Sequence, residues 1–277
     1  MFKVSSFNKN GIAYPLNLKK KYSSFFLEKK FLEFKNKSIQ KIGRPVVLKP
    51  HLLSNFFYKI AIDKNILKNV KKIIGNDLYI WSSVFFEKGP TEGKFVSYHQ
   101  DNPYWQLSTE KVVTVWVALT KSNKISGALE LFPKSHCRGI INKLDVKNPR
   151  ASYLKGLRTT KGKDMLSFKH KLNSFIKKNK PKIINLLPGQ FSIHHVNTVH
   201  GSGVNKSKKA RIGFAIRYIS SDTFHLKEKS DRALHVSGKK NKFYVDEIYP
   251  KKDFSSESIK QYKKSLLSTG VFGNKKY

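Results

Sequence analysis

The sequence predicts a mainly β protein with flanking helices, a double-stranded β-helix of the jelly-roll kind. Two observations carry that expectation. First, six short segments after Gly75 are rich in β-branched and aromatic residues and punctuated by Gly or Pro: 78–86, 112–119, 128–132, 183–187, 190–196 and 211–219. Second, residues 18–36 and 52–74 carry helical rather than strand periodicity. Many short strands after a helical start fit a jelly roll.

Taken in order, residues 7–15 read as a Gly turn followed by a short apolar strand. Residues 18–36 place Tyr22, Phe25, Phe26, Phe31, Leu32 and Phe34 among lysines, which predicts an amphipathic helix. The polar stretch 36–50 reads as loop. Residues 52–74 give the clearest helix, with apolar residues at 56, 57, 60, 66, 67, 70, 73 and 74 and Gly75 as its C-cap. The strands then follow. A Lys-rich insert at 137–181 interrupts them and is expected to hold a helix over 168–177. The tail from 221 to 277 is expected to hold one helix, at 255–266. No internal repeat or domain boundary is visible. The expectation is one domain over 1–277: an N-terminal strand and helices (1–75), a strand core (76–220) with its insert, and a C-terminal extension (221–277).

The net charge of +37 invites a nucleic-acid reading. Only 7 of the 55 basic residues are Arg, however, and the lysines are spread along the whole chain. Nucleic-acid sites favour Arg for its bidentate contacts. Scattered Lys reads as a bias of composition, with a basic surface meeting an acidic partner as the alternative. Cys137 is the lone cysteine, which excludes an internal disulfide and fits a reducing compartment. No apolar run reaches the roughly 18 residues that a membrane span needs. A cytoplasmic protein without a signal peptide is expected.

The chemistry is concentrated in Tyr98-His99-Gln100-Asp101, answered about a hundred residues later by His200-Gly201-Ser202-Gly203. On a strand, His99 and Asp101 share a face because side chains alternate with period two. A second imidazole, His200, would complete two His and one carboxylate on one side of a metal. That facial set leaves coordination positions open and is the usual ligand set of non-haem Fe(II) oxygenases. Arg211 opens the apolar run Arg211-Ile212-Gly213-Phe214-Ala215-Ile216-Arg217-Tyr218. A buried Arg is rare unless paired. A metal site followed by a strand-borne Arg fits a small dicarboxylate such as 2-oxoglutarate, held at both ends.

The chain resembles the phytanoyl-CoA dioxygenase family of Fe(II)/2-oxoglutarate oxygenases. The matching pieces are Tyr98-His99-Gln100-Asp101, Val113-Thr114-Val115-Trp116-Val117-Ala118-Leu119, Ser126-Gly127-Ala128-Leu129-Glu130-Leu131-Phe132-Pro133-Lys134-Ser135-His136, and His200-Gly201-Ser202-Gly203-Val204-Asn205 leading to Arg211. They span about residues 80–220. The resemblance implies a jelly-roll fold with a strand added at the sheet edge near the N-terminus. It implies His99, Asp101 and His200 as iron ligands, and Arg211, Ser202 and Trp116 as 2-oxoglutarate contacts. It also implies Fe(II) as cofactor, with 2-oxoglutarate and O2 as cosubstrates of a hydroxylation. Gln100, Asn102, Tyr104, Trp105, Trp81, Phe85 and Arg217 are expected on the substrate side.

His194 and His195 point to opposite faces, so at most one faces the pocket; a hydrogen-bonded structural role is expected for both, and for His136. The substrate is expected to be a small molecule, free or tethered to an acidic carrier protein or CoA, with no specific nucleic acid and no membrane. An AlkB-like nucleic-acid demethylase shares the ligand set, and Arg211 with Arg217 matches its Arg spacing; a non-catalytic binding protein on the same scaffold is the other alternative. The segments Trp81-Ser82-Ser83-Val84-Phe85-Phe86 and Gly213-Phe214-Ala215-Ile216-Arg217-Tyr218 are similar to the family's chlorinating branch. There a small residue replaces the ligand carboxylate; here position 101 is Asp, which implies hydroxylation.

Overall fold

The computed structural model describes residues 2–141, 164–165, 172–226 and 231–267. Two β-sheets face each other across a central cavity. The major sheet has seven strands: β1 (Ile12–Asn17), β2 (Leu78–Lys88), β4 (Val112–Ala118), β7 (Gln190–His195), β9 (Arg211–Ser220), β10 (Asp231–Ser237) and β11 (Tyr244–Asp246). Their order is β1-β7-β4-β9-β2-β10-β11. The minor sheet has the order β3-β8-β5-β6 and is built from β3 (Val96–His99), β5 (Leu129–Leu131), β6 (Lys182–Ile183) and β8 (His200–Ser202). All neighbours pair antiparallel except β10 with β11. β1 sits at the sheet edge, as expected.

Strands β4 and β9 are buried along their whole length. Helices cover one face of the major sheet, and the minor sheet lies against the other. This is why the two strands read as continuous apolar runs rather than alternating ones.

On the helical side, α2 (Ser24–Ile42) starts at Ser23, whose hydroxyl accepts from the Phe26 N–H at 3.1 Å. Its buried residues Leu27, Phe31, Phe34 and Ser38 follow helical spacing. Helices α3 (Asn55–Ala61) and α4 (Lys64–Ile74) come next. An aromatic cluster joins helices to sheet. Phe57 meets Phe85 at 4.7 Å between ring centroids and Phe214 at 5.5 Å, while Phe31 meets Phe85 at 5.0 Å. Phe57 is fully buried in this cluster. Phe57→Ala is therefore expected to lower unfolding stability by about 3–5 kcal/mol, read as a lower urea midpoint with an unchanged slope.

Several local expectations are corrected. A short helix, α1 (Val4–Asn10), precedes the Gly turn. The helix expected at 18–36 runs six residues further, into the stretch read as loop. Ser38 explains that extension: its hydroxyl turns inward, donates to the Lys35 carbonyl at 2.7 Å and accepts from the Val46 N–H at 3.0 Å. The helix expected over 52–74 is broken at Asp63. There the Asp63 carboxylate takes the Asn65 and Ile66 N–H groups at 2.9 and 3.3 Å and restarts the chain as α4.

Gly75 does cap α4, with φ 97°. The strand expected at 183–187 reduces to β6, with Leu186 bridging Ser122. The tail holds α7 (Ser256–Leu267), as expected, and also β10 and β11, which the sequence did not announce. Two further elements on the path are α5 (Asn102–Trp105) and α6 (Asn173–Lys178). Most of the 137–181 insert, including the start of its expected helix, lies outside the described residues. Among the described residues no helix is long and apolar enough to cross a membrane.

Candidate metal centre

β3 ends at His99, and the chain turns immediately. The Asp101 and Asn102 N–H groups both donate to the Val196 carbonyl, at 3.1 and 3.3 Å, and Asp101 adopts a helical conformation at the start of α5. His99 and Asp101 thus share a side because of a turn, not because of strand alternation. Gln100 holds that turn. Its Nε2 donates to the Gly139 and Asn197 carbonyls, both at 2.7 Å, and its Oε1 accepts from the Ile141 N–H at 2.8 Å.

His99 pairs directly with His200 on β8, and their ring centroids are 4.1 Å apart. Each imidazole is fixed in the same way. His99 Nδ1 lies 2.8 Å from the Ser97 carbonyl, and His200 Nδ1 lies 2.9 Å from the Thr198 carbonyl. A carbonyl can only accept, so Nδ1 carries the proton and each Nε2 keeps a lone pair. Asp101 Oδ1 stands 3.5 Å from His99 Nε2, and Oδ2 stands 3.9 Å from His200 Nε2. One ligand atom from each of the three residues lies within 4.8 Å of the others, and all three residues are buried.

The electrostatics agree with a cation site. Burial, then the neighbouring His99, hold His200 well below the usual imidazole range, so it is neutral. Burial alone would raise Asp101; facing His200, His99 and Arg217 instead brings it below the usual carboxylate range. Asp101 Oδ1 is buried and has no hydrogen-bond partner. A buried, ionised carboxylate oxygen in that position lacks a positive partner that a metal would supply. Two imidazole nitrogens and one carboxylate oxygen suit Fe(II).

The major sheet supplies a row of side chains opposite. In register across β7, β4 and β9 stand His194, Thr114 and Arg217. All three line the same cavity as the triad. Thr114 Oγ1 donates to Asp101 Oδ2 at 3.3 Å, and His194 Nε2 lies 3.9 Å from the same oxygen. This row surrounds the carboxylate oxygen that faces away from His99.

The next residues along β9 reach the far end of the cavity. Arg211 is buried; its Nη2 donates to the Gly127 carbonyl at 3.0 Å and to Ser202 Oγ at 3.4 Å, and its guanidinium lies 5.3 Å from the Trp116 ring. Only glycine fits at position 213, because a Cβ there would come within 1.9 Å of Trp116 Cζ2. Lys88, directly opposite Arg211 on β2, is also buried. Its Nζ donates to Ser202 Oγ at 2.6 Å, the Ser202 carbonyl at 3.1 Å and the Gly203 carbonyl at 2.5 Å.

The cavity thus gathers His99, Asp101, His200, Arg211, Ser202, Trp116 and Arg217 from the expected residues. Trp105 stays close: Arg217 lies over its ring at 5.5 Å. Tyr104 meets His99 edge-on at 5.9 Å. Asn102 is buried on the same short helix but does not line the cavity. Three expectations are corrected. Phe85 faces the helices in the aromatic cluster, and Phe86, one residue on, lines the cavity; a one-residue step reverses the face of a strand. Trp81 is a core residue, its Nε1 donating to Asp231 Oδ2 at 2.6 Å. Gln100 braces the ligand turn and does not line the cavity.

His194 is also corrected. Its two ring nitrogens have no hydrogen-bond partner, and it faces the cavity. His195 faces away, with Nδ1 accepting from the Asn197 N–H at 3.1 Å, and His136 donates to the Asn8 carbonyl at 2.9 Å. Sequence reasoning missed Lys88, Thr114 and Phe86. Thr114 was within reach, because it lies two residues before Trp116 on a strand and so shares its face.

The sequence profile of phytanoyl-CoA dioxygenases matches residues 20–213. A phytanoyl-CoA dioxygenase of Arabidopsis thaliana is 26% identical over 73% of this chain and 66% of its own length. A probable alpha-ketoglutarate-dependent hypophosphite dioxygenase of Stutzerimonas stutzeri is 23% identical over 70% of this chain and 63% of its own length. Each match therefore spans slightly less than two thirds of the relative. The solved structure of a non-heme monooxygenase, ThoJ in its apo form, covers 96% of this chain and 95% of its own with a TM-score of 0.76, at 22% identity. That structural likeness bears on the fold and agrees with the paired antiparallel sheets. With the profile spanning well over half of its residues, the chain belongs to the phytanoyl-CoA dioxygenase family.

Proposed function

We propose that the protein is an Fe(II)- and 2-oxoglutarate-dependent oxygenase that hydroxylates an unactivated C–H bond of a small molecule, free or CoA-linked. One observation carries this reading: a single cavity has a two-His, one-carboxylate cluster at one end and the buried Arg211 at the other. A 2-oxo dicarboxylate has matching ends. His99, Asp101 and His200 would hold the iron, which when bound supplies the activation of O2. Arg211 and Ser202 fix the distal carboxylate, and Trp116 forms a wall of the cosubstrate channel. Phe86, Val96 and Leu129 add apolar wall and exclude water. The outer row of Thr114, His194 and Arg217 keeps the Asp101 carboxylate in one orientation.

The profile match favours this reading over a nucleic-acid demethylase. The named relatives include one for phytanoyl-CoA and one for hypophosphite, so family membership leaves the substrate open.

The test is a screen of metabolite pools, CoA esters included, with Fe(II), 2-oxoglutarate and O2. Succinate is expected to rise with one substrate class well above the substrate-free rate. The product is expected to gain one oxygen, and no chlorine even in high chloride, because Asp101 fills the coordination position that chloride would need. A chlorinated product from the unmodified protein would overturn the hydroxylase assignment. Absence of 2-oxoglutarate turnover with every pool would favour a binding protein on the same scaffold.

A further inference from the structure

Two buried cations, Lys88 and Arg211, meet across one strand pair at the end of the cavity, and neither has a carboxylate partner among the described residues. Buried charges are normally paired. Between them stands the Ser202 hydroxyl, 2.6 Å from Lys88 Nζ and 3.4 Å from Arg211 Nη2. A hydroxyl has two lone pairs and one proton, whereas Arg and a protonated Lys only donate; the three oxygens around Lys88 Nζ are the partners of an ammonium. With both lone pairs of Ser202 Oγ taken by these two donors, its proton has to point elsewhere. Ser202 lines the cavity. Arg211 Nε, likewise buried, has no hydrogen-bond partner. The end of the cavity therefore offers donors in search of an acceptor.

We infer that Lys88 is a positioning residue: by filling a lone pair of Ser202 it locks that hydroxyl as a donor, and so makes the distal subsite selective for an ionised carboxylate. The inference rests on the 2-oxoglutarate reading above and adds a residue to it. Lys88 reaches the ligand through Ser202, not by direct contact. Its three acceptors, Ser202 Oγ and the carbonyls of Ser202 and Gly203, match the three N–H groups of an ammonium. Burial, then Arg211 alongside, push the Lys88 amine down to about 6, with Glu130 and Asp164 acting weakly the other way. An anion next to Ser202 would favour the protonated form of Lys88, the form that locks the hydroxyl.

The test uses anaerobic calorimetry on the Fe(II)-loaded protein, where no turnover occurs. Two ligands are compared: 2-oxoglutarate, and 2-oxopentanoate, which keeps the oxo acid end and lacks the distal carboxylate. Lys88→Met is expected to weaken 2-oxoglutarate binding by roughly 10- to 100-fold, the scale of one charge-assisted hydrogen bond, and to leave 2-oxopentanoate binding and iron affinity unchanged. Ser202→Ala is expected to do the same, and the double variant to be no worse than either single one, because both remove one donor. Lys88→Gln, which keeps a donor without the charge, is expected to fall between and serves if the Met variant fails to fold.

Wild-type 2-oxoglutarate affinity in Lys88→Met overturns the inference while leaving the cosubstrate reading intact. So does an equal loss for both ligands accompanied by weaker iron binding, which marks Lys88 as a strand tie only. If the wild-type protein binds neither oxo acid, the cosubstrate reading fails and this inference with it.

Discussion

Asp101→Ala is expected to abolish Fe(II) binding in an anaerobic titration that gives one site per chain for the wild-type protein. The expected loss exceeds the roughly 10- to 100-fold that follows removal of an outer partner of a metal ligand. Asp101 supplies the negative charge of a site otherwise built from two neutral imidazoles. The substitution also leaves Arg217 facing a cavity without the carboxylate that balances it. Thr114→Val is the graded control. It deletes the 3.3 Å donor to Asp101 Oδ2 and keeps the ligand, so its loss is expected to stay within that 10- to 100-fold range. His200→Ala is expected to resemble Asp101→Ala, because its Nδ1 bond to Thr198 fixes Nε2 as a ligand with no substitute on β8. Unchanged iron affinity in either ligand variant would refute the triad. Asp101→Gly should remove hydroxylation too, and it is not expected to install chlorination, since substrate placement also decides which group is transferred.

Much of this site was visible in the linear sequence, for a physical reason. His99 and Asp101 are close in sequence, and the Gly-bracketed run at His200 and the apolar run at Arg211 are local signals. What escaped depends on how strands pair. Lys88 looked like one of 48 lysines until β2 and β9 placed it opposite Arg211. His194 and His195 could be assigned to opposite faces from period two, but not which face was inner. The same ambiguity put Phe85 in place of Phe86. Even the correct statement that His99 and Asp101 share a side had a different cause, the Val196 carbonyl that takes two consecutive N–H groups.

The fold shows the same division. Strands β4 and β9 were plain because they are apolar throughout, whereas β10 carries Asp231, Arg232 and His235 and owes its place to pairing with β2 and to the Trp81–Asp231 bond. The helix restart at Asp63 was masked by apolar residues that continue on both sides of it. A side chain accepting two backbone N–H groups outweighs helical periodicity locally.

Arg211→Ala is expected to raise the 2-oxoglutarate requirement by roughly 100-fold or more, with iron affinity little changed. The estimate follows from losing one or two charge-assisted hydrogen bonds at about 1.5–3 kcal/mol each. Arg211→Lys is expected to recover little of this. The guanidinium is held by the Gly127 carbonyl on one side and the Trp116 ring on the other, a placement that needs a planar fork. Lys88 decides how much affinity survives. With Arg211 gone, one of the influences that lower the Lys88 amine disappears, so its pKa rises, although burial, the larger cause, still holds it down. Lys88 then remains as the cation nearest Ser202. The residual 2-oxoglutarate binding of Arg211→Ala should therefore fall further in Arg211→Ala/Lys88→Met, by at least as much as Lys88→Met alone costs the wild-type protein. Wild-type 2-oxoglutarate affinity in Arg211→Ala would mean that another basic group holds the distal carboxylate. A parallel collapse of iron affinity would mean that Arg211 supports the walls of the cavity rather than its ligand.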